Sequence, residues 1–111
     1  MKAILLIVAL GVVSSVYGAD ASKDKDANAS GKAAYFARCA KCHSETGTGT
    51  FMLSRRLGKE KGTLESRTDL SPELIRHVVR NGIVSMPAIT RVEVTDNELR
   101  AITDYLTRPR T

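Results

Sequence analysis

Apolar and polar positions alternate in blocks along this chain, and each block predicts an element. Met1-Lys2-Ala3 leads into an apolar run over residues 4–13, and residues 19–28 that follow are small and charged, with Lys23-Asp24-Lys25-Asp26 alternating in sign. That stretch reads as a mobile terminal segment. Helical spacing begins beyond it. Gly31, Tyr35 and Cys39 stand four apart and share one face, with Ala34 beside them. Residues 44–50 carry glycines and short hydroxyl side chains with no apolar face, which predicts a loop. Phe51-Met52-Leu53 with Leu57 before Gly58 predicts a short helix closed by glycine, and residues 59–68 are polar and irregular.

The second half is better punctuated. Ser71-Pro72-Glu73 supplies an N-cap oxygen, a proline where a missing N–H costs nothing, and an acid at the positive end of the helix dipole. Leu74, Ile75, Val78 and Val79 form the apolar stripe of that helix, and Gly82 ends it. Thr95-Asp96-Asn97-Glu98 is a capping box, with Val94 placed to staple against Leu99. Leu99, Ile102 and Leu106 make the buried face of the last helix, with Tyr105 on its flank. Nothing longer than Val92-Glu93-Val94 alternates as a strand would, so the predicted class is all-α.

The basic start, the apolar run and the small residues Gly18 and Ala19 match a secretory signal peptide over residues 1–19. The run is too short to span a bilayer, which leaves an uncleaved interfacial anchor as the alternative. No cysteine directly follows it, so a lipid-anchored lipoprotein is excluded. The expected organisation is a signal peptide (1–19), a flexible segment (20–28) and one small domain (29–108). That domain has two phenylalanines, two tyrosines and no tryptophan with which to fill a core, the third tyrosine, Tyr17, lying in the expected signal peptide.

Charge adds a location. Without Lys2 the chain holds sixteen basic against twelve acidic residues, and residues 20–37 and 69–111 are each balanced. The whole excess lies in residues 38–67, where Arg38, Lys41, Arg55, Arg56, Lys59, Lys61 and Arg67 face Glu45, Glu60 and Glu65. Such a field steers an acidic partner, or simply keeps the surface solvated. An exported protein has little occasion to bind nucleic acid.

The chemistry concentrates in Cys39-Ala40-Lys41-Cys42-His43. Two thiols on one helical turn point the same way, so each can add to one vinyl group of a porphyrin, and the histidine that follows can ligate the iron from beneath. The alternatives are a redox dithiol, which normally opens a helix in a βαβ unit absent here, and half of a zinc site, for which only His77 remains as a usual nitrogen or sulfur donor. His77 lies off its helix's apolar stripe and reads as solvent-flanking. A buried porphyrin would supply the missing apolar mass, so the haem-free chain is expected to be largely unfolded. For the opposite face of the iron, Met86 in Ser85-Met86-Pro87-Ala88 is the expected thioether ligand, its position stiffened by the proline. Core filling is the plainer role for a lone methionine, and Met52 is the weaker candidate ligand. Arg55, Arg56 and Arg67 are candidates to neutralise haem propionates.

Over roughly residues 29–107 these features resemble class I cytochromes c: Cys39-x-x-Cys42-His43 near the mature N-terminus, Met86-Pro87 in a late loop, and a closing helix over 99–106. The resemblance implies one covalent haem c held through Cys39 and Cys42 with His43 and Met86 as axial ligands. It also implies a close crossing of the terminal helices at Gly31 and Tyr35, with Tyr105 as the aromatic of the partner helix. One feature departs from the family, which usually has a proline soon after the proximal histidine whose carbonyl accepts the imidazole N–H. Residues 44–50 contain none, so the group that orients His43 stays open. A narrower set, Gly49-Thr50-Phe51-Met52-Leu53, Arg56-Leu57-Gly58 and Arg67-Thr68-Asp69-Leu70, is similar to the cytochrome subunits of flavocytochromes of the p-cresol methylhydroxylase kind. The expected function is a periplasmic one-electron carrier that is not itself an enzyme. It would take electrons from a flavoprotein dehydrogenase acting on para-alkylphenols and pass them to another cytochrome, a cupredoxin or an oxidase. The alternatives are a freely diffusing donor to a terminal oxidase and a haem enzyme or sensor with an open distal site.

Overall fold

The computed structural model describes residues 20–109, with side chains from residue 25 onward; the expected signal peptide lies outside them. The chain is all-α: α1 (Asp20–Arg38), α2 (Ala40–His43), α3 (Thr48–Leu57), α4 (Pro72–Asn81) and α5 (Asp96–Thr107), with two 3-10 turns, Lys59–Lys61 and Leu64–Ser66. Among the described residues there is no strand, only an isolated antiparallel bridge between Ile83 and Met86.

The two later helices begin as their local sequence dictates. The Ser71 hydroxyl accepts from the Leu74 N–H at 3.1 Å and Pro72 follows at once, a cap that is typically worth about 1 kcal/mol. At α5 the cap is reciprocal, the Glu98 N–H donating to the Thr95 hydroxyl (3.2 Å) and the Thr95 N–H to the Glu98 carboxylate (2.8 Å). The α4 helix stops at Gly82, whose φ of 74° suits a residue without a side chain.

The frame is the crossing of α1 over α5. At Gly31 an added Cβ would run into the Ala101 carbonyl oxygen and lie 2.8 Å from the Tyr105 Cβ, so only glycine lets the backbones approach this closely. One turn on, the Tyr35 and Tyr105 rings pack with centroids 5.7 Å apart. Around them gather Ala40, Val94, Leu99, Ile102 and Leu106, with Ile75 of α4 packed in from the side. Thr103, 0 % exposed, is also enclosed here. Leu74, expected in the buried stripe of α4, is 42 % exposed, because α5 and the core take up only the Ile75–Val79 side of that stripe.

Three segments differ from the sequence expectation. The α1 helix starts at Asp20, through the stretch expected to be mobile; alanine and lysine favour helix there, and aspartates suit its positive end. The α3 helix starts at Thr48, inside the expected loop, with Gly47 as its extended N-cap. Residues 59–68 are ordered by specific partners, Glu65 accepting from the Tyr105 hydroxyl and Arg67 pairing with Asp69 at 2.8 Å.

Arg38 of α1 reaches Glu98 of α5 at 2.9 Å. The Thr95 N–H first, then Arg38, hold the Glu98 carboxyl down at about 2 against an ordinary 4.5. A depressed carboxylate stabilises the fold above its unfolded pKa and loses that contribution as pH falls through its folded pKa. Between about pH 4.5 and 2, therefore, Glu98→Gln is expected to flatten the decline in stability that the native protein shows, read from denaturant midpoints across that window.

Candidate haem-binding site

The motif sits where α1 hands over to α2. The Cys39 N–H still donates to the Tyr35 carbonyl (2.8 Å), and the His43 N–H donates back to the Cys39 carbonyl (2.9 Å), so both thiols and the imidazole share one helical turn. Buried Ala40 anchors that turn in the core. From below, the Tyr35 hydroxyl donates to the His43 carbonyl at 3.0 Å. Tyr35 is legible in the sequence as a crossing residue, whereas its hold on the motif backbone is not.

Both cysteines are free, Cys39 half-buried and Cys42 exposed. Burial first, and the neighbouring Cys42 second, push the Cys39 thiol up to about 11. A redox dithiol needs the opposite shift, since the thiolate is the nucleophile. Burial also lowers the pKa of His43, which keeps the imidazole neutral as a metal ligand requires. Its Nδ1 is buried with no hydrogen-bond partner. The turn between α2 and α3 closes against it: a Cβ on Gly47 would strike the Cys42 carbonyl, and one on Gly49 would lie 2.9 Å from the His43 Cε1.

Met86 lies on a different arm. After Gly82 the chain makes a two-residue turn through Val84 and Ser85, closed by Ile83 N–H to Met86 O (3.0 Å) and Met86 N–H to Ile83 O (2.9 Å). Val84 takes φ 53°, a left-handed conformation that costs about 1–2 kcal/mol for a residue with a side chain. The loop is stitched down beyond the methionine. The Ile89 N–H donates to the Val79 carbonyl (2.7 Å), and Arg80 donates to Ile89 O, Val94 O and Asp96, each at 3.0 Å or less. Sequence reasoning missed Arg80, whose place just outside the α4 stripe was the available signal. Met86 is half-buried, whereas Met52 is 43 % exposed on α3, the helix that packs on α2 beside His43.

Cys39, Cys42 and His43 are thus brought together, while Met86 lies apart from them in sequence, on the connection between α4 and α5. His77 is exposed, its carbonyl accepting from Asn81 at 2.8 Å, and among the described residues no three His, Cys, Asp or Glu side chains cluster as a metal site. Of the arginines considered for propionates, Arg67 is paired with Asp69, while Arg55 and Arg56 are exposed on α3. Arg38 and Lys61 are also engaged in ion pairs, so the local positive excess rests on Lys41, Arg55, Arg56 and Lys59, all exposed. Among the described residues no helix is long and apolar enough to cross a membrane.

Two thiols and a neutral imidazole on one turn, in a helical frame whose first and last helices cross, define a c-type cytochrome domain. The chain belongs to the family described as cytochrome c oxidase, cbb3-type, subunit III, whose sequence model matches residues 26–106. No curated protein and no solved structure matches it. With that family come a covalently bound haem c, a role in electron transfer, and redox proteins as partners.

The residues present fit that group. Both thiols are free for thioether formation, and His43, with Nδ1 buried, would have Nε2 to offer to iron. When bound, haem c supplies a one-electron ferric/ferrous couple. The polypeptide holds the ligands and sets the surroundings.

Proposed function

We propose that this protein is a periplasmic one-electron carrier, exported by a signal peptide in residues 1–19, in which Cys39 and Cys42 hold the haem and His43 and Met86 fill the two axial positions. The observation that carries this reading is the His43 imidazole, neutral through burial and fixed on the same turn as two free thiols. The separately braced Met86 loop supports a filled distal position, which distinguishes a carrier from a haem enzyme or gas sensor.

The donor we propose is a flavoprotein dehydrogenase acting on para-alkylphenols. The similarity of residues 49–53, 56–58 and 67–70 to the cytochrome subunits of such enzymes supports it, as does the exposed positive surface of Lys41, Arg55, Arg56 and Lys59. A second reading is favoured by the family description, which names a subunit of a cytochrome c oxidase: the acceptor is then a terminal oxidase.

Stopped-flow reduction by the native flavoprotein donor across a salt series tests the partner. Screening shrinks from ~10 Å at 0.1 M to ~3 Å at 1 M, so a steered encounter slows as salt rises. Reversing Arg55 and Arg56 to glutamate is expected to slow association about tenfold at low salt while leaving the haem spectrum unchanged. A rate indifferent to salt would remove electrostatic steering and leave a stable, dry subunit interface.

A further inference from the structure

We infer that Gly49 is a positioning residue for His43: its bare Cα, in the first turn of α3, sets the rotation of the imidazole plane. The inference rests on His43 being the axial ligand. A Cβ at Gly49 would lie 2.9 Å from the His43 Cε1, 3.1 Å from Nδ1 and 2.8 Å from the Cys42 carbonyl oxygen, so all three nearest atoms belong to the motif. No positive φ demands glycine here, since among the described residues only Gly58 and Gly82 are glycines with one. A glycine within a helix costs about 1 kcal/mol relative to alanine. Close approach to the ring is the compensating reason.

The rest of His43 is already held. Its N–H donates to Cys39 O at 2.9 Å and its carbonyl accepts from the Tyr35 hydroxyl at 3.0 Å, which leaves the side-chain torsions as the remaining freedom. Rotation about the bond to an imidazole ring is soft, with broad minima. A hydrogen bond at the second ring nitrogen ordinarily fixes that angle. Here Nδ1 is buried and bonds to nothing, and residues 44–50 offer no proline to set a carbonyl against it. Close packing against α3 takes over: the space between Gly49 and the Nδ1–Cε1 edge has no room even for a Cβ, which limits rotation on that side.

The test reads ring orientation in the holoprotein. In the ferric state the g values and the order of the haem-methyl NMR shifts follow the axial imidazole plane. Gly49→Ala is expected to change both while covalent haem content stays at the native level. Gly62→Ala is the control, because its Cβ would press on Ser54 Oγ and the Thr50 carbonyl of α3 without meeting His43. It should lower stability and leave the g values and methyl order as in the native protein. Equal changes in both variants, or none in Gly49→Ala, would overturn the inference. The native ferrous protein decides independently, even where Gly49→Ala fails to assemble. A nuclear Overhauser contact between His43 Hε1 and the Gly49 α-protons is expected, together with the large upfield shift of a haem-bound histidine. Upfield-shifted His43 protons without that contact overturn the role of Gly49 alone; unshifted His43 protons overturn the ligand assignment beneath it.

Discussion

Replacing His43 by alanine is expected to abolish stable low-spin haem ligation and to take the folded protein with it. The buried side chains collect at the α1–α5 crossing, with Ile75 added from α4, while α3 leaves Phe51, Met52 and Leu57 exposed. The polypeptide alone therefore has little to hold α2, α3 and the Met86 loop in one arrangement. The Tyr35 bond to the His43 carbonyl survives the substitution, since it involves only the backbone, so what is lost is the imidazole itself. Ligand binding that occurs only in the folded state counts as folding free energy. Its loss is comparable with the whole stability of a small domain, on the order of 5–15 kcal/mol. Thermal unfolding and the yield of soluble holoprotein measure it. A soluble, cooperatively melting, low-spin His43→Ala protein would contradict the assignment.

Met86→Ala is expected to act differently, because covalent attachment lies on the other arm. Haem should stay bound through Cys39 and Cys42 while one coordination position opens. The ferric spectrum should turn partly high-spin, the weak long-wavelength sulfur-to-iron band should vanish, and the ferrous form should bind carbon monoxide, which the native protein resists. A thioether favours ferrous iron, and each tenfold preference is ~59 mV in a one-electron couple. The potential should therefore fall by on the order of 100 mV. Helical content should change little, since Ile83, Val79, Ile89 and Arg80 hold the loop through backbone and guanidinium bonds that alanine keeps. If Met52→Ala removes the band instead, Met86 is not the ligand.

How far these features could be read beforehand follows from how local each one is. The starts of α4 and α5 were legible because each N-cap and its partner lie three residues apart. The crossing at Gly31, Tyr35 and Tyr105 was legible only through resemblance, as two segments some seventy residues apart carry no local sign of each other. Gly47 and Gly49 were both legible as loop residues, rightly for Gly47, which stays in the turn, and wrongly for Gly49, which lies inside α3. Their composition says turn, while the contact they make with Cys42 and His43 is tertiary and draws α3 back to Thr48. Arg80 and Thr103 were missed because a polar residue near a stripe looks solvent-facing until its neighbours are known; the partners of Arg80 lie up to sixteen residues away. For Leu74 the stripe was right and the partner narrower than the stripe.

The central claim is that Cys39 and Cys42 are both consumed in holding one haem. The mass of the mature protein, measured under denaturing conditions after treatment with a thiol alkylator, tests it most directly. The predicted result is the polypeptide plus one haem, with no alkylated cysteine. A haem-free mass with Cys39 and Cys42 both alkylated, or joined to each other, would contradict it.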